Sequence, residues 1–156
     1  QLPFTMHFLA HIKYFELPFF GKGLTFYQNI PVEEKAISFK SFRKLKTYLH
    51  RGDSIVVYCE GTRGSGRELL PFQTGAFFFA ASTGYPVLPL YILGSERILS
   101  KHYSLLTITP GKIRLVVDKP VSFTKKNWKT EFKMFMQQYT VKHNTLYDEF
   151  ENEVQQ

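Results

Sequence analysis

Runs of β-branched and aromatic residues alternate along this chain with stretches whose apolar positions recur every three or four residues. That alternation predicts an α/β architecture. Phe4–Ile12 reads as a strand and leads into a polar-aromatic turn at Leu17-Pro18-Phe19-Phe20-Gly21. Leu24–Gln28 reads as a short β-type run. Pro31 is placed to open a helix, with Glu33 and Glu34 in the first turn, where the helix dipole favours carboxylates. Phe39, Phe42, Leu45 and Leu49 give that helix an apolar stripe, Lys40, Arg43, Lys44 and Lys46 take its other faces, and Gly52 closes it.

Ser54–Cys59 is a continuous apolar run, the pattern of a central strand covered on both faces. A glycine-rich polar loop follows, from Gly61 to Glu68. Thr74 is positioned to cap a short buried helix, Gly75–Thr83, that stops at Gly84. Pro86–Leu93 reads as another buried strand, and Ile113–Val117 as a strand after the Pro110-Gly111 turn. The chain closes on a long amphipathic helix, about 127–153, with Trp128, Phe132, Phe135, Tyr139, Leu146 and Phe150 at three- and four-residue spacing. With no repeat, low-complexity stretch or linker, residues 1–156 read as one domain with a central, mostly parallel sheet flanked by helices.

Composition narrows the partners. The chain has sixteen Phe, and aromatic residues make up 17% of it. Such a load either fills a thick core or leaves apolar patches that face a lipid or a partner. A net charge of +7 favours polyanions: nucleic acid, an anionic membrane leaflet or a phosphorylated small molecule. Its basic residues are interleaved on an amphipathic helix without a nucleic-acid motif, so nucleic acid is not expected as a partner. A single cysteine, Cys59, excludes an internal disulfide and a cysteine-based zinc site, and no metal is expected. No apolar run reaches the roughly 18–20 residues of a membrane span.

The candidate chemistry lies in Glu60-Gly61-Thr62-Arg63 and the residues after it, through Phe77. A buried strand there would deliver a carboxylate, a glycine, a hydroxyl and a guanidinium to its C-terminal end, where ligands of open α/β sheets bind. Gly61 lets a ligand approach the backbone, Thr62 offers a hydroxyl and an N–H, and Arg63 offers a planar fork suited to phosphate. The spacing is not that of a nucleotide-binding loop.

This stretch resembles the lysophosphatidic acid and glycerol-phosphate acyltransferase family, which carries E-G-T-R after a strand, then a glycine-containing loop, L-P-F and G-A-F. Arg67-Glu68-Leu69-Leu70-Pro71-Phe72-Gln73-Thr74-Gly75-Ala76-Phe77 matches the continuation, and Pro86-Val87-Leu88-Pro89-Leu90 matches a downstream P-[VI]-[VI]-P-[VI] segment. The resemblance implies the glycerol-phosphate acyltransferase fold. It also implies transfer of a fatty acyl group from a thioester, of coenzyme A or acyl carrier protein, to the free hydroxyl of a lysophospholipid, with no bound cofactor. It makes Arg63 the main ligand of the acceptor phosphate, with Gly61 and Thr62 lining the pocket and Glu60 positioning Arg63 or the acceptor. The product lipid implies work at the cytoplasmic face of a membrane, with helix Glu33–Arg51 and exposed Phe residues supplying attachment. A non-catalytic lipid- or phosphate-binding module of the same fold is the alternative.

The family's base is a His paired with an Asp in H-x-x-x-x-D upstream of the first strand. The first residue here is Gln, and that pair is expected upstream of residue 1, which leaves no catalytic residue within the chain. Two segments imitate the motif. His143 and Asp148 fit its letters but fall after E-G-T-R on the last helix, where five steps of about 100° point them roughly 140° apart. His11 is followed by Glu16, and His11 reads as a partly exposed strand residue. A second family arginine, after G-x-x-F, is replaced by Asn29, which is placed to cap the next helix. That change leaves the acceptor head group open. Cys59 stands where a proline is usual and reads as core packing rather than a nucleophile.

Overall fold

The computed structural model describes residues 5–33, 39–98 and 108–155. They fall in two compact units, Gln1–Tyr58 and Cys59–Gln156. The first unit holds β1 (Met6–His11), α1 (Phe20–Phe26), β2 (Ile30–Val32), α2 (Phe39–His50) and β3 (Ser54–Val56). Its sheet has the order β2-β1-β3 with both pairings parallel, the ladder a βαβ connection requires. An α/β architecture with a parallel sheet is therefore present, as the alternating pattern predicts.

Several local expectations give way. Leu24–Gln28 is not a β-type run, because α1 spans most of it. The Gly21 and Gly23 amides donate to the Leu17 and Phe19 carbonyls, and the Thr25 hydroxyl donates back to the Gly21 carbonyl, so the local hydrogen bonds close helically. Pro31 opens no helix. It sits in β2 opposite Ala10, beside the fully buried Ile30, at an outer position of the described sheet where a missing N–H is tolerated. Glu33 is exposed after that strand, and Glu34 lies outside the described residues. The buried stripe of α2 is Ser41, Leu45 and Tyr48, whereas Phe39 is 78% exposed.

Ser54–Cys59 is corrected too. The strand ends at Val56 and is an outer strand of the described three-stranded sheet, while β1 holds the centre. An apolar run marks a strand, but its rank in the sheet depends on partners far along the chain.

The second unit holds α3 (Gly75–Thr83), β4 (Leu90–Leu93), α4 (Ser95–Ile98), β5 (Arg114–Val117) and α5 (Trp128–Gln155). Helix α3 has the expected bounds and ends on Gly84 in left-handed conformation, though the Thr74 side chain makes no capping bond. Strand β4 is shorter than Pro86–Leu93 and pairs antiparallel with β5. Its burial alternates, with Tyr91 and Leu93 inward and Leu90 and Ile92 exposed, so it is covered on one face only. Helix α5 packs Phe135, Tyr147 and Phe150 inward. Phe77 is the hub of an aromatic core, its ring centroid 4.6 Å from Phe132 and 5.4 Å from both Phe123 and Phe135. No described helix is long and apolar enough to cross a membrane.

Candidate functional site

Within the second unit, Glu60–Arg63 opens a loop that runs to α3. Two contacts close its base. The Gln73 amide donates to the Cys59 carbonyl at 2.7 Å, and the Leu70 amide donates to Glu60 Oε2 at 2.9 Å. Glu60 therefore ties the loop to itself through a backbone partner. Gly61 has a φ of +68°, and Gly61, Thr62 and Arg63 are exposed. In sequence the loop comes after β3, which is an outer rather than a central strand of its sheet and whose ladder ends at Val56.

The far side of the loop is fastened by contacts that motif reading did not foresee. Gly66 has a φ of +101°, and a Cβ there would meet Glu96 Cγ at 2.4 Å, so any side chain would be strained and would have to displace Glu96. Glu96, on α4, accepts a 2.9 Å hydrogen bond from the Tyr147 hydroxyl. Arg67 reaches Asp148 at 2.7 Å and lies over the Tyr147 ring. Arg97 pairs with Glu151 one turn further along α5. An exposed pair such as Arg67–Asp148 is worth at most about 1 kcal/mol. Its use here is geometric: Arg67 on Asp148 holds the loop against α5, while the Tyr147 hydroxyl and the Arg97–Glu151 pair hold α4 against the same helix. The hint in the sequence was the set Tyr147, Asp148 and Glu151 on α5, but its partners lie 51 to 81 residues upstream.

His143 and Asp148 do not meet as a catalytic pair. His143 is buried and tilted against Tyr147, whereas Asp148 is exposed and engaged by Arg67. His11 ends β1, half-buried, with Nδ1 accepting from the Lys13 amide, and Glu16 is exposed. Asn29 caps no helix. It is buried, and its Oδ1 accepts from the Phe8 amide at 2.8 Å, which fastens the approach to β2 onto β1. Cys59 packs against the Phe77 core, and burial, aided by the Glu60 charge, pushes its thiol up to about 11. It is protonated at neutral pH and unsuited to nucleophilic attack. His7 was not singled out from sequence. It is buried on β1, stacked on Tyr48 at 3.9 Å with Nε2 3.3 Å from Asp53, and it joins strand, helix and turn within the first unit.

A sequence model of the acyltransferase family matches residues 1–93, which include β1 to β4 and the Glu60–Arg63 loop. The chain belongs to the acyltransferase family. Similar proteins include a chloroplast 1-acyl-sn-glycerol-3-phosphate acyltransferase of Brassica napus, 26% identical over 120 residues that make up 76% of this chain and 35% of the relative. A 1-acyl-sn-glycerol-3-phosphate acyltransferase of Helicobacter pylori is 28% identical over 146 residues, 90% of this chain and 61% of the relative. Among solved structures, the 1-acyl-sn-glycerophosphate acyltransferase PlsC of Thermotoga maritima matches with a TM-score of 0.68 at 26% identity, over 94% of this chain and 57% of that one. The acyltransferase-family chain thus spans between about a third and three-fifths of the length of these relatives.

Proposed function

We propose that this acyltransferase-family chain forms the acceptor-binding part of an enzyme that esterifies lysophosphatidic acid or a related lysophospholipid. The supporting observation is the Glu60–Arg63 loop, closed at its base by Glu60 and Gln73 while Thr62 and Arg63 remain exposed. A guanidinium fork on a fixed loop suits a phosphate monoester. In the reaction, the acceptor hydroxyl oxygen attacks the thioester carbonyl carbon and the carbon–sulfur bond breaks. A general base takes the hydroxyl proton and returns it to the departing thiolate of coenzyme A or acyl carrier protein. By family resemblance, that base is the His of an H-x-x-x-x-D pair upstream of residue 1. Arg63 holds the phosphate, and Gly61 and Thr62 line its pocket. The lipid product places the reaction at the cytoplasmic face of a membrane.

The test is acceptor titration in the full-length protein with Arg63→Lys, which keeps the charge and loses the fork. Loss of a charge-assisted contact of about 1.5–3 kcal/mol gives an expected ~10- to 150-fold fall in kcat/KM, with the melting temperature little changed. An unchanged kcat/KM with a lowered melting temperature sinks the phosphate-ligand role. Acceptor binding without turnover identifies the non-catalytic module instead.

A further inference from the structure

The first unit carries an aromatic display that its own packing does not use. Within Phe19 to Tyr27, four large aromatic residues are exposed: Phe19 by 88%, Phe20 by 57%, Phe26 by 79% and Tyr27 by 69%. Phe19 and Phe26, like Phe20 and Tyr27, are seven apart along α1 and its cap, so each pair shares a helix face. The Phe20 ring continues onto Tyr14 at 6.4 Å, and Lys13 lies over the Tyr14 ring. Phe19 also has the strained backbone. Its φ of 65° and ψ of −52°, with the Phe20 amide donating to the Pro18 carbonyl at 2.8 Å, make a tight γ-turn that side-chain-bearing residues rarely adopt. A strained turn that projects the most exposed large apolar side chain described in the molecule has no value for the unit's own core.

Charge indicates the occupant. Lys13 and Lys22 border the display against one acid, Glu16. Ile12, at its edge, lines a hollow of about 350 Å³ together with Lys40 and Lys44 of α2 and one carboxylate, Glu33, and the described α2 carries no acidic residue of its own. Aromatic rings beside snorkelling lysines suit the boundary between head groups and acyl chains. We propose that the turn and helix from Leu17 to Tyr27 insert into an anionic bilayer surface, with Phe19, Phe20, Phe26 and Tyr27 entering the interface and the lysines meeting lipid phosphates. The choice of a bilayer over a protein partner rests on the acyltransferase reading. It also narrows the apolar insertion expected of exposed Phe residues to α1 and its turn, and leaves the basic helix α2 the electrostatic share.

The experiment is co-sedimentation of the chain with vesicles of phosphatidylcholine, with and without phosphatidylglycerol, at low and high salt. Binding is expected on the anionic vesicles, and Phe19→Ser combined with Phe26→Ser should lower the partition coefficient about tenfold or more, since each ring loses its burial. Salt should weaken binding without abolishing it, because screening reaches the charges and not the inserted rings. In a Trp128→Phe background, which removes the native indole, Phe19→Trp should bind at least as well. Its emission should shift to the blue and be quenched by lipids brominated along their acyl chains. Binding unchanged by the double substitution, or an indole that neither shifts nor quenches, overturns the proposal. So does a chain that ignores the vesicles and self-associates through the same residues. Vesicle binding needs no acyl transfer, so a full-length protein that binds vesicles but transfers no acyl group counts against the enzyme reading alone.

Discussion

The two units use their aromatic residues in opposite ways. In the second unit, Phe72, Phe77, Phe123, Phe132, Phe135 and Tyr139 turn inward around one core. In the first, Phe19, Phe20, Phe26 and Tyr27 turn outward beside lysines, and the unit is held instead by a parallel sheet, Ile30, Leu45 and the His7–Tyr48 stack. Their loops differ in the same sense. The Glu60–Thr74 loop has a closed base and a flank held by Arg67 on Asp148 and over the Tyr147 ring, whereas the α1 turn is strained at its exposed tip. A phosphate must be met by fixed donors, and a lipid surface accepts any ring that reaches it. Composition alone posed these as alternatives, a thick core or an apolar patch. The fold has one of each.

The largest expected effect tests the inward half. Phe77→Ala removes the hub of the second unit's core and should cost about 3–5 kcal/mol, measured by urea unfolding. A cost near 1 kcal/mol would mean that this core is loose and that its contrast with the outward display is weak. Gly66→Ala probes the pinned loop. It combines a left-handed φ with a collision against Glu96, itself held by Tyr147, so about 1–3 kcal/mol is expected. Addition of Glu96→Ala should recover part of that loss, and a loss that stays whole would place the strain elsewhere. The smallest effect belongs to the outward half. Phe19→Gly relieves the γ-turn while adding unfolded-state entropy, so stability should stay within about 1 kcal/mol of the parent. A loss as large as that of Phe77→Ala would make Phe19 a core residue and end the comparison.

The sequence by itself determined the local elements whose signals are carried by neighbours. Helix α3 has its predicted bounds because Gly84 stops it, α5 follows its three-and-four spacing, and β1 lies within the run Phe4–Ile12. The Glu60–Arg63 motif, with its glycine in left-handed conformation, was also legible, because a short motif needs no distant partner to be recognised. Tertiary structure decided what depends on contacts between remote residues. It placed Pro31 in a strand because β1 was there to pair with, and it moved β3 to an outer position because β1 took the centre. It turned Asn29 from a helix cap into the acceptor for the Phe8 amide, and it brought Glu96, Tyr147 and Asp148 to the loop. Periodicity encodes which face of an element is apolar. The neighbour that covers that face, or leaves it open as at Phe19, is set by long-range packing that no local window contains.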